Sequence, residues 1–264
     1  MKILLLDIET APHVVYAWGL FKQTISINQI AQPGHTICYA AKWLGNDAIT
    51  FKSIHHDGHD DMITTLWNLL DNADAVIHYN GKKFDIPTIN KEFVLLNMPP
   101  PDGYHQIDLY TVVRSRFKFA SNKLDYVANA LGLGTKVKHR GMDLWRECMA
   151  GDPVAWKEMK AYNIQDVAIM EPLYKKLLPW IKNHPNQAIF AALELYDSTE
   201  ITENDDKPMC PNCGSHHVVK KGIETTATMA YQRYRCMSCK TPIRGRKTLL
   251  VPGHKKFIMT QSKT

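Results

Sequence analysis

Residue types that could do chemistry begin seven positions into the chain. Asp7 and Glu9 close the apolar run Ile-Leu-Leu-Leu-Asp-Ile-Glu. On a strand, side chains two apart leave the same face, so these carboxylates point together. Paired carboxylates are the donors that hard cations such as Mg²⁺ take. A third acid, Asp85, ends the segment His78-Tyr79-Asn80-Gly81-Lys82-Lys83-Phe84-Asp85, where an apolar strand runs into a glycine turn. Tyr162 and Asp166 lie four apart in Tyr-Asn-Ile-Gln-Asp, which puts a phenol and a carboxylate on one helix face. Each feature alone has a plain structural reading: a polar strand end, a helix cap, a half-buried tyrosine beside a solvated acid. What would unite them is one shared divalent-metal site.

A second constellation is made of thiols. Cys210-Pro-Asn-Cys213 and Cys236-Met-Ser-Cys239 are two C-x2-C knuckles with 22 residues between them. Four thiolates so arranged suit tetrahedral Zn²⁺, and the spacer is long enough for a β-hairpin. Gly214 suits the tight turn after the first knuckle. Cys38 and Cys148 stand apart and read as ordinary buried thiols.

The elements that must position these groups are legible. Residues 3–7 read as a central strand, and 36–44 and 48–54 as two more joined at Gly45-Asn46-Asp47. Met62, Ile63, Leu66, Leu69 and Leu70 share a face of a helix over 60–72. Ala75–Tyr79 is a short strand, and a helix follows from about Ile86, with Pro87 in its first turn. The stretch 105–200 reads as mainly helical. It includes 122–131 with Asn122 as N-cap and Gly132 as stop, 153–178 capped by Asp152, and a last amphipathic helix over 186–197. Strands first, then a strand alternating with helices, fit an α/β fold with a mixed sheet covered by helices. Asp108, Asp125 and Asp143 fall at element ends and read as structural. His55, His56 and His59 read as loop histidines.

The chain has 264 residues, 45% hydrophobic and 22% charged, enough for one α/β domain and a small module. No run is apolar enough to span a membrane, and the N-terminal run lacks the length and cleavage site of a secretion signal. A cytoplasmic protein, of a host or bacterial cytoplasm, is therefore expected, and there clustered cysteines favour metal over disulfides. The net charge of +6 conceals an asymmetry: residues 1–206 hold 20 Lys/Arg against 25 Asp/Glu, and residues 207–264 hold 12 against Glu224 alone. A basic tail module on an acidic body suits a polyanionic partner. The expected organisation is a domain over 1–200, a polar acidic linker at 201–208, and a metal module with a basic tail over 209–264.

Taken in order, the acids and the tyrosine resemble the three motifs of the DEDD exonuclease superfamily in its DEDDy branch. Asp7-Ile8-Glu9 with Thr10 matches the first motif, Asn80…Phe84-Asp85 the second, and Tyr162…Asp166 the third. Asn122-Lys123-Leu124-Asp125…Leu131-Gly132 resembles the helix that lies between the last two. The sibling branch carries His five residues before the final Asp, where this chain has Ala161. The resemblance covers about residues 1–180. It is nearest to stand-alone relatives of the family B polymerase proofreading domain. It implies a ribonuclease H-like fold and two Mg²⁺ or Mn²⁺ ions held by Asp7, Glu9, Asp85 and Asp166, with Asp85 acting partly through water. It also implies that Tyr162 orients the attacking water, since a phenol with pKa near ~10 is poorly matched to act as a base at neutral pH. Thr10, Asn80 and Phe84 would meet the terminal nucleotide.

The cysteine segment resembles zinc ribbons of transposase-like and other DNA-binding proteins, with one structural Zn²⁺ supplying its folding free energy. Lys220, Lys221, Arg233, Arg235, Lys240, Arg244, Arg246 and Lys247 interleave with Tyr231 and Tyr234. Cations meet phosphates and aromatics stack on bases, so Lys220, Lys221, Arg233 and Arg235 are candidate nucleic-acid contacts. A protein-binding ribbon is the alternative.

The reading favoured is a metal-dependent 3′→5′ exonuclease on single-stranded DNA ends, in replication, proofreading or repair. It would stand alone or serve a separate polymerase, since no polymerase domain fits the remaining length. An exoribonuclease of the same chemistry, and a non-catalytic accessory protein binding nucleic acid through the ribbon, are the alternatives. Fold and metals do not fix the sugar.

Overall fold

The computed structural model describes residues 1–134, 140–190, 208–226, 228–250 and 253. It divides into two compact units, Lys2–Tyr174 on the one hand and Lys175–Thr264 with Met1 on the other.

The first unit opens with β1 (Ile3–Thr10), the short pair β2 (Val14–Val15) and β3 (Ile30–Gln32), β4 (Thr36–Trp43) and β5 (Ile49–Ser53). Then come α1 (His59–Asp71), β6 (Ala75–His78), α2 (Asp85–Leu95), β7 (His105–Asp108) and α3 (Leu109–Arg116). It closes with α4 (Leu124–Ala130), α5 (Met142–Met149) and α6 (Pro153–Leu177), the last three residues of which belong to the second unit. Five strands form one sheet in the order β5-β4-β1-β6-β7. β4 is antiparallel to β1 and β5, whereas β6 runs parallel to β1 and β7. This is the expected ribonuclease H-like mixed sheet flanked by helices. The central position of β1 explains its apolar run, because a strand covered on both faces exposes neither set of side chains.

Strand parity divides the core. Leu4, Leu6 and Ile8 of β1 pack with Tyr39 and Ala41 against Met62, Ile63, Leu66 and Leu70 of α1 and Ile89 and Phe93 of α2. On the opposite parity, Cys38 joins Ile37, Leu144 and Cys148 of α5, and Trp156, Met159 and Tyr162 of α6. Asp7 and Glu9 share the parity of this second face, and Glu9 is the register partner of Cys38. The acids of β1 therefore face the α5–α6 layer. Asp152 caps α6 through the backbone N–H of Val154 at 2.7 Å, as its position before Pro153 predicts.

Two expectations are corrected. Residues 105–108, read within a helical stretch, are the edge strand β7, whose Ile107 and Asp108 are buried. Parallel pairing with β6, which no local pattern encodes, makes it a strand. Asn122 does not cap α4: the N-cap position is Lys123, and the Asn122 carbonyl instead accepts the Tyr79 hydroxyl at 2.5 Å. Of the helix expected over 186–197, residues 187–190 are helical and 191–197 lie outside the described residues. So does the linker at 201–208, apart from Pro208.

In the second unit, β8 (Val218–Thr225), β9 (Ala230–Cys236) and β10 (Pro242–Thr248) form an antiparallel sheet in the order β10-β9-β8. The Asn212 amide donates to the Leu178 carbonyl at 3.1 Å, and the Gln187 N–H to the Pro211 carbonyl at 2.6 Å. These bonds explain why the chain from Lys175 groups with the sheet, rather than dividing near residue 200.

Candidate active site and thiolate cluster

Asp7, Glu9 and Asp166 each bring a carboxylate oxygen within 4.8 Å of the other two. Two come from β1 and one from α6, so 156 residues of chain lie between Glu9 and the last. The i to i+4 spacing on α6 puts Tyr162 on the same buried face as Asp166. Three ionised carboxylates so close repel one another, and a hard cation with oxygen preference relieves that repulsion. The donor set fits divalent ions of the Mg²⁺ or Mn²⁺ kind.

Asp85 stands apart from this cluster. It begins α2, is buried, and accepts the Ile8 N–H at 3.2 Å. Burial pushes its carboxyl up to about 6, against the pull of that N–H. Its visible task is to fix the β1 backbone between Asp7 and Glu9.

Asn163 was not singled out from sequence, although it lies beside Tyr162. It is fully buried, and its amide donates to Asp7 Oδ2 at 2.7 Å and to the Asp7 carbonyl at 3.4 Å. That grip fixes the rotamer of one acid from the helix that supplies another. Its sequence signal is an amide three residues before Asp166, on that residue's side of the helix. Trp145 was missed as well. Its indole N–H donates to the Thr10 carbonyl at 3.1 Å, and its ring stands edge-on to Tyr162 with centroids 6.1 Å apart. Thr10 follows a register shift in β1 and lines a cavity of about 330 Å³ with Pro12, Gly141, Met142 and Trp145.

Asn80 is left-handed, with φ 67°. Its N–H donates to Asp108 Oδ1 at 3.0 Å, and the same oxygen caps α3 through Thr111. Asp108 is thus structural, as expected, yet it organises the turn that leads to Asp85. Gly81 is required there, because a Cβ would lie 2.6 Å from the His78 ring. Asn80 lines a cavity of about 370 Å³ together with Lys82, Lys83 and Arg114. Phe84 is 47% exposed. His55 stacks on Trp156, and His59 lies 3.4 Å from Glu92, so the histidines gather no metal-ligating cluster among the described residues.

The four cysteines of the knuckles also come within 4.8 Å of one another. Cys210–Cys239 and Cys213–Cys236 sulfur separations are 3.6 and 3.7 Å, far beyond a disulfide bond. A tetrahedron with zinc–sulfur bonds of about 2.3 Å has edges of about 3.8 Å, so the cluster has the size for zinc. Residues after each second cysteine are left-handed: Gly214 at φ 69° and Lys240 at φ 64°. Burial opposes ionisation of Cys210 and Cys213: it pushes Cys213 up to about 11 and Cys210 further. At Cys236 burial raises the thiol, but the backbone N–H groups of Cys239 and Ser238 together with the Cys213 and Cys239 side chains bring it down to about 7. Lys220, Lys221, Arg233 and Arg235 all lie on β8 and β9 and are exposed.

Residues 4–178 match the family described as the RNase_H superfamily. Curated proteins provide no match. Among solved structures, the chain is similar to the family B DNA polymerase from the hyperthermophilic archaeon Pyrobaculum calidifontis, with TM-score 0.52 and 18% identity over 67% of this chain and 24% of that one. At that identity the likeness is one of fold, and the chain spans about a quarter of the polymerase's length. No described helix is long and apolar enough to cross a membrane.

Proposed function

This chain belongs to the RNase H superfamily, and from that premise we propose that it is a metal-dependent 3′→5′ exonuclease acting on single-stranded DNA ends. The observation that carries the reading is the convergence of Asp7, Glu9 and Asp166 from β1 and α6. These three carboxylates hold the divalent ions, which when bound supply Lewis-acid stabilisation of the charge developing on the scissile phosphate. Asn163 fixes the Asp7 side chain, and Asp85 fixes the backbone between the two acids of β1. Tyr162, wedged against Trp145, presents its hydroxyl to orient the attacking water. Thr10, Asn80 and exposed Phe84 contact the terminal nucleotide, Phe84 by stacking on a base. One Zn²⁺ on Cys210, Cys213, Cys236 and Cys239 holds the C-terminal sheet together. The family B polymerase likeness favours DNA and a polymerase as working partner.

The test uses 5′-labelled single-stranded DNA and RNA, incubated with Mg²⁺ or Mn²⁺ and resolved by length. A ladder shortening from the 3′ end of DNA is expected. Shortening of RNA alone would reassign the substrate, and no hydrolysis by the wild-type chain with either ion would overturn the nuclease reading.

A further inference from the structure

The register of the C-terminal sheet sorts its cations onto two faces. Tyr231, Arg233 and Arg235 alternate on one side of β9. Arg244 of β10 is the direct partner of Arg233, and Glu224 of β8 is the partner of Tyr231, so both join that side. Lys220 pairs with Tyr234 and lies on the opposite side. Two arginines placed directly opposite one another cost a sheet stability unless an anion lies between or above them. Glu224 is the sole Asp or Glu from residue 207 to the end, and it lies 3.4 Å from Arg244.

The guanidinium groups are also oriented. Arg233 Nε donates to the Lys221 carbonyl at 2.9 Å, and Arg235 Nη1 to the Lys240 carbonyl at 3.1 Å. Arg244 lies over the Tyr231 ring, 4.6 Å from its centroid. Carbonyls and a ring steady these groups without neutralising Arg233 or Arg235. Along β9, Arg233 and Arg235 are about 6.8 Å apart, by the rise of an antiparallel strand. Planar, pre-oriented forks in a row suit bidentate phosphate contacts.

We propose that this face, Tyr231 with Arg233, Arg235 and Arg244, binds the sugar–phosphate backbone of single-stranded nucleic acid without regard to sequence. The inference rests on the reading that the chain acts on nucleic acid, and it replaces the run of basic residues expected from sequence by one side of one sheet. Lys220 is excluded and Arg244, not among the contacts expected first, is central. Phosphate contacts by these groups release counterions, so binding weakens steeply with salt.

The test measures affinity for fluorescent single-stranded DNA and RNA across salt concentrations. It uses the zinc-loaded full chain without added magnesium or manganese. The combined variant Arg233→Gln, Arg235→Gln, Arg244→Gln should bind both strands more weakly. Its plot of log K against log salt should be shallower by about 2, from about 0.7 per single-strand phosphate contact. Lys220→Gln, which removes the same charge as Arg233→Gln from the other side, should leave the slope close to wild type. Zinc content verifies folding, and if the triple variant loses zinc, Arg244→Gln alone should still lower the slope by about 0.7. Equal slopes for wild type and the Arg variants, or equal effects of Lys220→Gln and Arg233→Gln, would overturn the proposal. So would displacement of the strand by poly-glutamate at matched charge, which would reassign the face to an acidic protein. A wild-type chain that binds with the expected slope but hydrolyses nothing would sink the nuclease reading and leave this face standing.

Discussion

Asn163 carries the least expected task in the site, and its removal is informative because it touches no substrate in this reading. Asn163→Ala takes the 2.7 Å donor from Asp7, leaving the carboxylate free to rotate away from Glu9 and Asp166. Loss of such a supporting partner typically weakens metal binding or activity ~10–100-fold. Calorimetric titration with Mn²⁺ should show that weakening, and unchanged affinity would mean that Asn163 only fills space. Asp7→Ala and Asp166→Ala should abolish hydrolysis while circular dichroism stays native; near wild-type turnover in either purified variant would remove the metal-site assignment. Tyr162→Phe keeps the ring against Trp145 and deletes the hydroxyl. Turnover should fall, but less than for either acid, and an unchanged rate under chemistry-limited conditions would leave Tyr162 a packing residue only.

At the scale of elements, β6 and β7 set the turn that leads to α2. His78 ends β6, fully buried, 3.9 Å from Asp108 at the end of β7. Burial pushes the His78 imidazole below its usual value, more strongly than the Asp108 carboxylate raises it. The unfolded chain therefore takes up a proton near pH ~6.5 that the folded chain resists. Folding stability contributed by neutral His78 is complete above that pH and is lost as pH falls through it. His78→Gln should lose less stability than wild type between pH 7.5 and 5.5, measured by urea unfolding at each pH. Parallel losses in the two proteins would show that other groups govern the acid limb. On α6, Asp152→Ala removes the cap on the Val154 N–H and should cost about 0.5–2 kcal/mol in the same experiment.

The whole molecule comprises two units held by different forces. Lys2–Tyr174 is built on a five-stranded sheet with apolar clusters on both faces, whereas from residue 208 on Cys210 and Cys236 are the buried apolar side chains among the described residues. With so little core, the folding free energy of such a sheet would come from a zinc ion held by the four thiols. Cys210→Ser should release zinc and abolish the salt-dependent binding assigned to the arginine face, while the thermal transition of the larger unit survives. Simultaneous loss of the larger unit's transition would overturn this assignment of zinc to the C-terminal sheet alone. Truncation after about residue 204 retains every proposed carboxylate ligand, so hydrolysis of short oligonucleotides should persist.

The pairing of Asp7 with Glu9 and of Tyr162 with Asp166 was readable because strand and helix periods convert local spacing into shared faces. The thiol knuckles were readable for the same reason, since each pair of ligands sits in one tight turn. Local pattern also located β1, α1 and the capped start of α6. Four things needed the folded chain. β7 became a strand by pairing with β6, and Asp85 turned to the Ile8 N–H rather than joining the other acids. Asn163 reached across from α6 to Asp7, and Arg244 came to lie opposite Arg233. Each depends on which distant segments become neighbours. Periodicity says which way a side chain points from its own backbone, and only tertiary packing supplies what it points at.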